Sequence, residues 1–317
     1  MADQFAIVID DVSHRYHDRL ALDQVNLQVA AGEVFGLLGP NGGGKTTLFR
    51  LLATLLPLQQ GTARIAGASV ANDPAAVRRL IGITFQSPSL DPKLTVRENL
   101  VCQGRLYGLT GRLLQQRIDE FVAALGIADR MGDRAETLSG GLKRRVEIAK
   151  SLLHEPTVLL LDEPSTGLDP GVRHDLWHTL RQLVQSRELT ILVTTHLLDE
   201  AEHCRRLAIL DHGQLVAEGT PDDLRREVGG DCITLSATDA DAVTAELLAA
   251  FGLTARRLDN DLRIEEVRDS QLVGRLLQHF GDRLRSVTVG RPTLEDVFIR
   301  KTGHRLSTDG DTTVVRH

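Results

Sequence analysis

Hydrophobic residues are arranged in two ways along this chain, and each arrangement predicts a different element. The runs "VFGLLG" (34–39) and "VLLL" (158–161) are apolar at every position, and "TILVTT" (190–195) is nearly so. Such runs are typical of parallel strands that are covered on both faces. After the first run, leucine recurs at helical spacing, at Leu48, Leu51, Leu52 and Leu55. Buried strands flanked by amphipathic helices predict an α/β fold.

The segments around these strands predict a first domain over residues 1–228. Residues 88–155 have helical patterns without a strand of the buried type, which predicts a helical insertion of the core. A strand pair is predicted over 207–219, "LAILDHGQLVAEG", with a turn at its Asp-His-Gly. Thr220 and Pro221 then provide a cap and a first helical residue.

The pattern changes after Gly229 and Gly230, where a smaller second domain is predicted over 229–302. Its predicted order is strand, helix, two strands, helix and strand. This βαββαβ order favours a ferredoxin-like α+β domain. The polar segment 303–317, "GHRLSTDGDTTVVRH", is predicted to be a flexible tail.

Composition excludes several classes of partner. The net charge is −6 and aromatic residues make up only 3%, whereas nucleic-acid-binding proteins usually have a basic face and aromatic platforms. No nucleic-acid partner is therefore expected. Cys102, Cys204 and Cys232 are far apart, which argues against a disulfide framework or a zinc site. The first residues do not resemble a signal peptide, and no apolar run approaches the ~20 residues of a membrane helix.

A phosphate-binding loop follows the first buried strand. "GPNGGGKTT" fits G-x-x-x-x-G-K-[S/T], in which glycines let main-chain N–H groups surround a phosphate. Lys45 is expected to reach the β- and γ-phosphates of ATP, and the Thr46 hydroxyl to hold Mg²⁺. The predicted nucleotide-binding residues of the loop are Gly39, Pro40, Asn41, Gly42, Gly43, Gly44, Lys45, Thr46 and Thr47.

Two carboxylates end the second buried strand, in "VLLLDEP" (158–164). The carboxyl end of such a strand faces the phosphate loop, so Asp162 is expected to hold Mg²⁺. Glu163 is expected to be the general base that polarises the attacking water. The alternative for Glu163 is an exposed acid before a proline.

A second anion-binding pattern occurs in "LSGGLKRRVEIAK" (138–150). A serine hydroxyl and free N–H groups at a helix N-terminus attract negative charge. An ordinary N-cap is the alternative. One chain would then have two phosphate sites, which a single bound nucleotide does not explain.

Five motifs together resemble the ATP-binding cassette (ABC) ATPases, over about residues 5–228. In chain order they are a Q-loop "ITFQSPSLDPKLTVRENL" (83–100), the signature "LSGG" (138–141), a B motif "LLLDEP" (159–164), a D-loop "STGLD" (165–169) and a switch "TTH" (194–196). Two departures from the family pattern are Leu142, where the signature usually continues with Gln, and Gly43, where Ala or Ser is common. Both are expected to be tolerated, Gly43 because it adds flexibility.

The resemblance implies that the second anion site serves another subunit. In the family, the signature turn binds the γ-phosphate held by the partner cassette of a head-to-tail dimer, so Ser139, Gly140 and Gly141 would contact the ATP of a second copy. Asp169 would act across the same dimer and couple the two sites.

The resemblance also implies roles for three residues near the nucleotide. His196 would contact the γ-phosphate as the switch histidine and take part in catalysis. Gln86 would touch Mg²⁺ or the attacking water and connect to the helical insertion. Tyr16 would stack on adenine; a tyrosine packed on the sheet is the alternative.

The implied function is an ATP-hydrolysing subunit that drives a separate transmembrane permease from the cytoplasmic face of the membrane. The signature region and the closing "PTLEDVFIRKTG" (292–303) are similar to the daunorubicin-resistance type, which exports drugs, lipids or polysaccharides. An importer ATPase would share every motif and is the alternative. A soluble ABC ATPase outside transport is disfavoured, because the chain has one cassette and an acidic charge.

Overall fold

A computed structural model describes residues 4–258, 261–267, 269 and 271–306. The chain divides into two compact units, 1–218 and 219–317. The predicted flexible tail at 303–317 lies outside the described residues from 307 onward. Within the described part of the chain, no helix is long and apolar enough to span a membrane.

From residue 4 onward, the first unit contains ten strands and seven α-helices. The strands are β1 (Phe5–Tyr16), β2 (Arg19–Ala30), β3 (Val34–Leu38), β4 (Gln60–Ile65), β5 (Ala68–Ser69), β6 (Ile81–Thr84), β7 (Val158–Asp162), β8 (Thr190–Thr195), β9 (Arg206–Asp211) and β10 (Gln214–Gly219). The helices are α1 (Lys45–Leu52), α2 (Pro74–Leu80), α3 (Val96–Leu106), α4 (Gly111–Ala124), α5 (Gly140–Leu152), α6 (Pro170–Arg187) and α7 (Leu198–Ala201).

A six-stranded sheet in the order β10-β9-β3-β8-β7-β6 forms the centre of this unit. The three predicted buried strands are confirmed as β3, β7 and β8, and all their residues are buried. β8 pairs in parallel with both β3 and β7. The carboxyl ends of these strands therefore meet at one edge of the sheet, where the phosphate loop and the two acids begin.

A second sheet, in the order β2-β1-β4-β5, is antiparallel between neighbours. Its apolar face shares a core with helix α1 and with the central sheet. The helices α3, α4 and α5 lie within the predicted insertion at 88–155 and pack around a separate apolar cluster. The aromatic candidate Tyr16 is at the end of β1, so this antiparallel sheet brings it beside the phosphate loop.

The described residues of the second unit form four strands and four α-helices. They are α8 (Pro221–Val228), β11 (Asp231–Ala237), α9 (Ala240–Phe251), β12 (Arg256–Leu258), β13 (Asp261–Val267), α10 (Leu272–Phe280), β14 (Leu284–Gly290) and α11 (Leu294–Thr302). The sheet order is β12-β13-β11-β14, and neighbouring strands are antiparallel. Helices α9 and α10 supply apolar side chains to its core, among them Val243, Leu247 and Leu276.

The structure divides the chain at Gly219, before helix α8, whereas the sequence pattern places the boundary after residue 228. The reason is the packing of α8 against α11. Arg300 Nη1 donates to the carbonyl oxygen of Val228 at 2.6 Å, and Lys301 pairs with Glu227 at 2.7 Å. Helix α8 therefore belongs to the second unit, although its sequence follows the first without interruption.

Candidate nucleotide site

The phosphate loop connects β3 to helix α1. A Cβ atom at Gly39 would lie 2.1 Å from the carbonyl oxygen of Leu210, so a side chain does not fit there without a shift of the main chain. Gly44, which caps α1, has φ 109°, a conformation that other residues rarely adopt. These two glycines let the loop turn tightly from the strand into the helix, where main-chain N–H groups gather.

Lys45 is the first residue of α1, and its side chain is only 4% exposed. Its Nζ donates to the carbonyl oxygens of Gly39 at 2.7 Å and Pro40 at 3.0 Å. Burial lowers the pKa of Lys45, although the negative charges of Glu163 and Asp162 oppose that shift. The amine is thus held on the inner side of the loop, between the loop carbonyls and the acids of β7.

A cavity of about 310 Å³ lies beside the loop. Its lining residues are Tyr16, Arg19, Ala21, Pro40, Asn41, Gly42, Gly44, Lys45, Thr46 and Thr47. The Tyr16 ring is 39% exposed and packs edge to face on His14, with ring centroids 4.8 Å apart. An accessible ring at the mouth of a phosphate cavity is suited to stacking on a base.

The sequence analysis missed Arg19, which also lines this cavity. Its Nη2 donates to the carbonyl oxygen of Gly42 at 3.3 Å, and Arg19 pairs directly with Tyr16 across β1 and β2. The signal that could have found it is the short turn between Tyr16 and Arg19, which puts a cation next to the aromatic candidate. An arginine at this position adds a positive charge for an anionic ligand.

Asp162 and Glu163 lie at the carboxyl end of β7. The Thr194 hydroxyl donates to Asp162 Oδ1 at 2.5 Å, and burial raises the pKa of Asp162. The Glu163 N–H donates to Thr194 at 3.1 Å, and Glu163 has φ 44°. A positive φ is uncommon for a residue with a side chain and is stored strain of a kind that concentrates at functional sites.

The Glu163 carboxylate is the point where three predicted motifs meet. Gln86 Nε2 donates to Oε2 at 3.1 Å, the Thr166 hydroxyl donates to Oε2 at 3.3 Å, and His196 Nδ1 lies 3.0 Å from Oε1. Burial alone would raise the pKa of Glu163. The hydrogen bond and charge of His196, together with Lys45 and Thr166, outweigh it, so the pKa lies below its ordinary value. Glu163 is therefore an ionised carboxylate at neutral pH.

In the signature turn, Ser139 and Gly140 are exposed and Gly141 is buried, and none of the three lines the cavity. Ser139 caps helix α5, and its Oγ accepts the Leu142 N–H at 3.4 Å. A Cβ atom at Gly141 would lie 2.4 Å from Val172 Cγ1, so that glycine is required by packing against α6. Asp169, the N-cap residue of α6, is also exposed. The phosphate loop and the signature turn, which are the two candidate phosphate-binding segments of this chain, therefore lie on different surfaces.

The two departures from the family pattern have different structural settings. Leu142 is partly buried and packs against the apolar cluster of the helical insertion. Gly43 is closely packed: a Cβ atom would lie 3.0 Å from the Leu210 carbonyl oxygen and 3.1 Å from that of Pro40. A side chain at position 43 would therefore crowd Leu210 and Pro40, so the glycine permits the close packing of the loop and does not only add flexibility.

This arrangement defines a class of protein. A phosphate loop after β3, carboxylates after β7 and a switch histidine after the intervening β8 are the parts of a P-loop NTPase. The ABC transporter family matches this chain over residues 22–166.

Relatives and solved structures define the family more fully. The chain is 41% identical over 310 residues to "Daunorubicin resistance ATP-binding protein DrrA3" of Streptomyces coeruleorubidus, covering 96% of this chain and 97% of that protein. It is 38% identical to "Nod factor export ATP-binding protein I" of Paraburkholderia xenovorans, covering 95% and 98%. The structure of cbiO1 from Clostridium perfringens, part of the ABC transporter complex cbiONQ, has a TM-score of 0.67 and 25% identity, covering 79% and 97%.

This chain belongs to the ABC transporter family, and the resemblance found in its motifs is confirmed. It is an ATP-binding subunit of an ABC transporter, and it hydrolyses ATP.

Proposed function

We propose that two copies of this chain bind two ATP molecules head to tail and drive a separate transmembrane permease that exports its substrate. The observation that carries the dimer is the exposed Ser139 turn, which lies outside the cavity of its own chain. Export is supported by the names of the relatives, which concern drug resistance and Nod factor export. The proposed substrate is accordingly a drug, a lipid or a polysaccharide.

The residues of the site divide the chemistry among them. Lys45 and the loop N–H groups bind the β- and γ-phosphates, and Glu163 accepts a proton from the attacking water. His196 holds Glu163 ionised and faces the γ-phosphate. Ser139 and the glycines after it, on the partner copy, supply N–H donors to the same phosphate. ATP favours the closed pair because only that state binds it from both sides.

The residues present also fit Mg²⁺. The hydroxyl of Thr46, which lines the cavity, the carboxylate of Asp162 and the side-chain amide oxygen of Gln86 form a set of hard oxygen ligands, which Mg²⁺ prefers. When bound, the ion neutralises charge on the phosphates. A nearby cation would also favour the ionised form of Asp162, whose pKa burial raises.

Tyr16→Ala is expected to weaken ATP binding by about 5- to 150-fold, since base–aromatic stacking contributes ~1–3 kcal/mol. The dissociation constant can be measured by calorimetry. The matched control is Tyr107→Ala: both tyrosines are 39% exposed, but Tyr107 stacks on His154 away from the cavity. Equal losses in the two variants would contradict the adenine role of Tyr16.

His196→Ala is expected to move the acid limb of the pH–kcat/KM profile to higher pH. His196 is the first group that lowers the pKa of Glu163 against the effect of burial. Without it, the largest of the effects that oppose burial is lost, so the pKa would rise and Glu163 would lose its charge at a higher pH than in the wild type. An acid limb that stays in place while the maximal rate falls would mean that His196 acts on the phosphate alone.

Export can be tested with the permease. The tagged chain is purified with its membrane protein, and the complex is reconstituted in vesicles with the ATPase subunit outside. ATP-dependent accumulation of a fluorescent anthracycline or lipid inside these vesicles supports export. ATP-dependent release of preloaded substrate from the vesicles would instead support the importer alternative.

The remaining assignments concern location and the second domain. We place the subunit at the cytoplasmic face of the membrane, held there by the permease, with no nucleic acid as a partner. A ferredoxin-like class for the second domain is supported by its sheet order β12-β13-β11-β14. We assign the second domain no chemistry in this proposal.

A further inference from the structure

A buried arginine, Arg144, connects the signature helix to the main chain of Glu163. A guanidinium stays charged, so its burial is tolerated only where its donors are paired. The Arg144 side chain is 8% exposed, and helix α5 carries it five residues after Ser139. Its Nη1 donates to the carbonyl oxygen of Phe85 at 2.6 Å, and Nη2 to those of Gln86 and Glu163, each at 3.4 Å.

Two further residues of α5 hold the same Q-loop segment. Glu147, 4% exposed, pairs with Arg144 at 3.2 Å and accepts the N–H of Ser89 at 2.5 Å. Lys150 Nζ donates to the carbonyl oxygen of Ser89 at 2.8 Å. These residues follow one another at three-residue spacing on one face of the helix. Residues 85–89 are therefore bonded to α5 at both ends.

Arg144 contacts the main chains of Gln86 and Glu163, whose side chains are hydrogen-bonded to each other. Gln86 donates to the Glu163 carboxylate, and the carbonyl oxygens of both residues accept from one Arg144 nitrogen. Glu163 also has a strained main chain, with φ 44°, which persists only when its surroundings fix it. Arg144 supplies one of these constraints at the carbonyl oxygen of Glu163, whereas His196 contacts its carboxylate.

We propose that Arg144 is a positioning residue for ATP hydrolysis, which holds the main chains of Gln86 and Glu163 in register with the signature helix. It rests on the proposed role of Glu163 as general base. Since Ser139 begins the same helix, a partner's γ-phosphate bound at Ser139 also fixes the base of this subunit. Each copy would thereby sense the nucleotide of the other through α5.

The role predicts a loss of rate without a loss of ATP binding. Misplacing a catalytic group by about 1 Å can cost 10²-fold in rate. The cavity lined by Tyr16 and Lys45 contains neither Arg144 nor its carbonyl partners. Affinity for ATP should therefore be insensitive to Arg144, whereas kcat should not be.

The test uses the double variant Arg144→Met/Glu147→Gln. Replacing Arg144 alone would leave Glu147 buried and unpaired, which destabilises proteins strongly. The Gln in the double variant removes that charge and retains an acceptor for Ser89. The control is Arg145→Met, one residue further along α5, because Arg145 donates to the carbonyl oxygen of Leu125 and lies 4.0 Å from Asp175 rather than bonding to residues 85–89. Thermal unfolding of each variant confirms that it is folded.

We expect kcat to fall by about 10- to 100-fold in the double variant, with an unchanged dissociation constant for a non-hydrolysable ATP analogue. Arg145→Met should match the wild type. A folded double variant with wild-type kcat, or an equal loss in the control, overturns the proposal.

Two additions keep the result decisive. If the double variant does not fold, Arg144→Lys replaces it: the charge beside Glu147 remains, but a single ammonium cannot reproduce the fork to three carbonyls. A lower kcat with unchanged affinity supports the proposal, and a wild-type kcat overturns it. If Glu163→Gln retains full activity, the assignment of the base is wrong, independently of Arg144.

Discussion

Glu163→Gln should lower the rate of ATP hydrolysis by about 10²- to 10⁴-fold, the contribution typical of a positioned general base. The substitution is nearly isosteric, and an amide oxygen still accepts from Gln86 and Thr166. Lys45 and the cavity that binds ATP are unchanged. The variant should therefore bind Mg-ATP with wild-type affinity and remain in the ATP-bound state.

The measurement is phosphate release under saturating ATP, together with ATP affinity. Glu188→Gln is the matched control, because Glu188 is exposed and also has a positive φ of 50° at the end of α6. The control should hydrolyse ATP at the wild-type rate. A Glu163→Gln variant that retains more than about a tenth of the wild-type rate would remove Glu163 from the role of general base.

Ser139→Arg should abolish ATP-dependent dimerisation, and with it nearly all hydrolysis. The side chain of Ser139 is exposed at the start of α5, so a larger residue is accommodated without unfolding the subunit. In the dimer, however, the arginine would occupy the space of the partner's γ-phosphate. ATP binding to the isolated subunit should persist, because Ser139 does not line its own cavity.

The experiment is the molar mass in solution with and without Mg-ATP, in the slowly hydrolysing Glu163→Gln background. We expect that background to dimerise on ATP and the added Ser139→Arg to prevent it. Ser186→Arg, which adds the same charge at the exposed far end of α6, should dimerise normally. A protein that stays monomeric with bound ATP even without Ser139→Arg would contradict the homodimer and indicate that closure requires the permease or a different cassette.

Local sequence alone determined much of the nucleotide site. The phosphate loop depends on glycines at fixed spacing, and β3, β7 and β8 are recognisable because parallel strands covered on both faces are apolar throughout. The order of motifs then indicated which strand ends meet. The elements of the second domain could also be predicted, since their periodicity is local to each element.

Tertiary structure decided what depends on distant partners. In the antiparallel sheet of β1, β2 and β4, Ile7 pairs with Ile65, and no local sequence pattern predicts the pairing of these two distant strands. The same sheet places Tyr16 and Arg19 beside the phosphate loop. The sequence analysis assigned no role to Arg144, whose hydrogen-bond partners lie 59 residues before it and 19 residues after it in the chain. Likewise, α8 joins the second unit through a hydrogen bond between Val228 and Arg300, which are 72 residues apart in the chain. Hydrophobic periodicity reports which face of an element is buried, but only the assembled fold decides which atoms meet there.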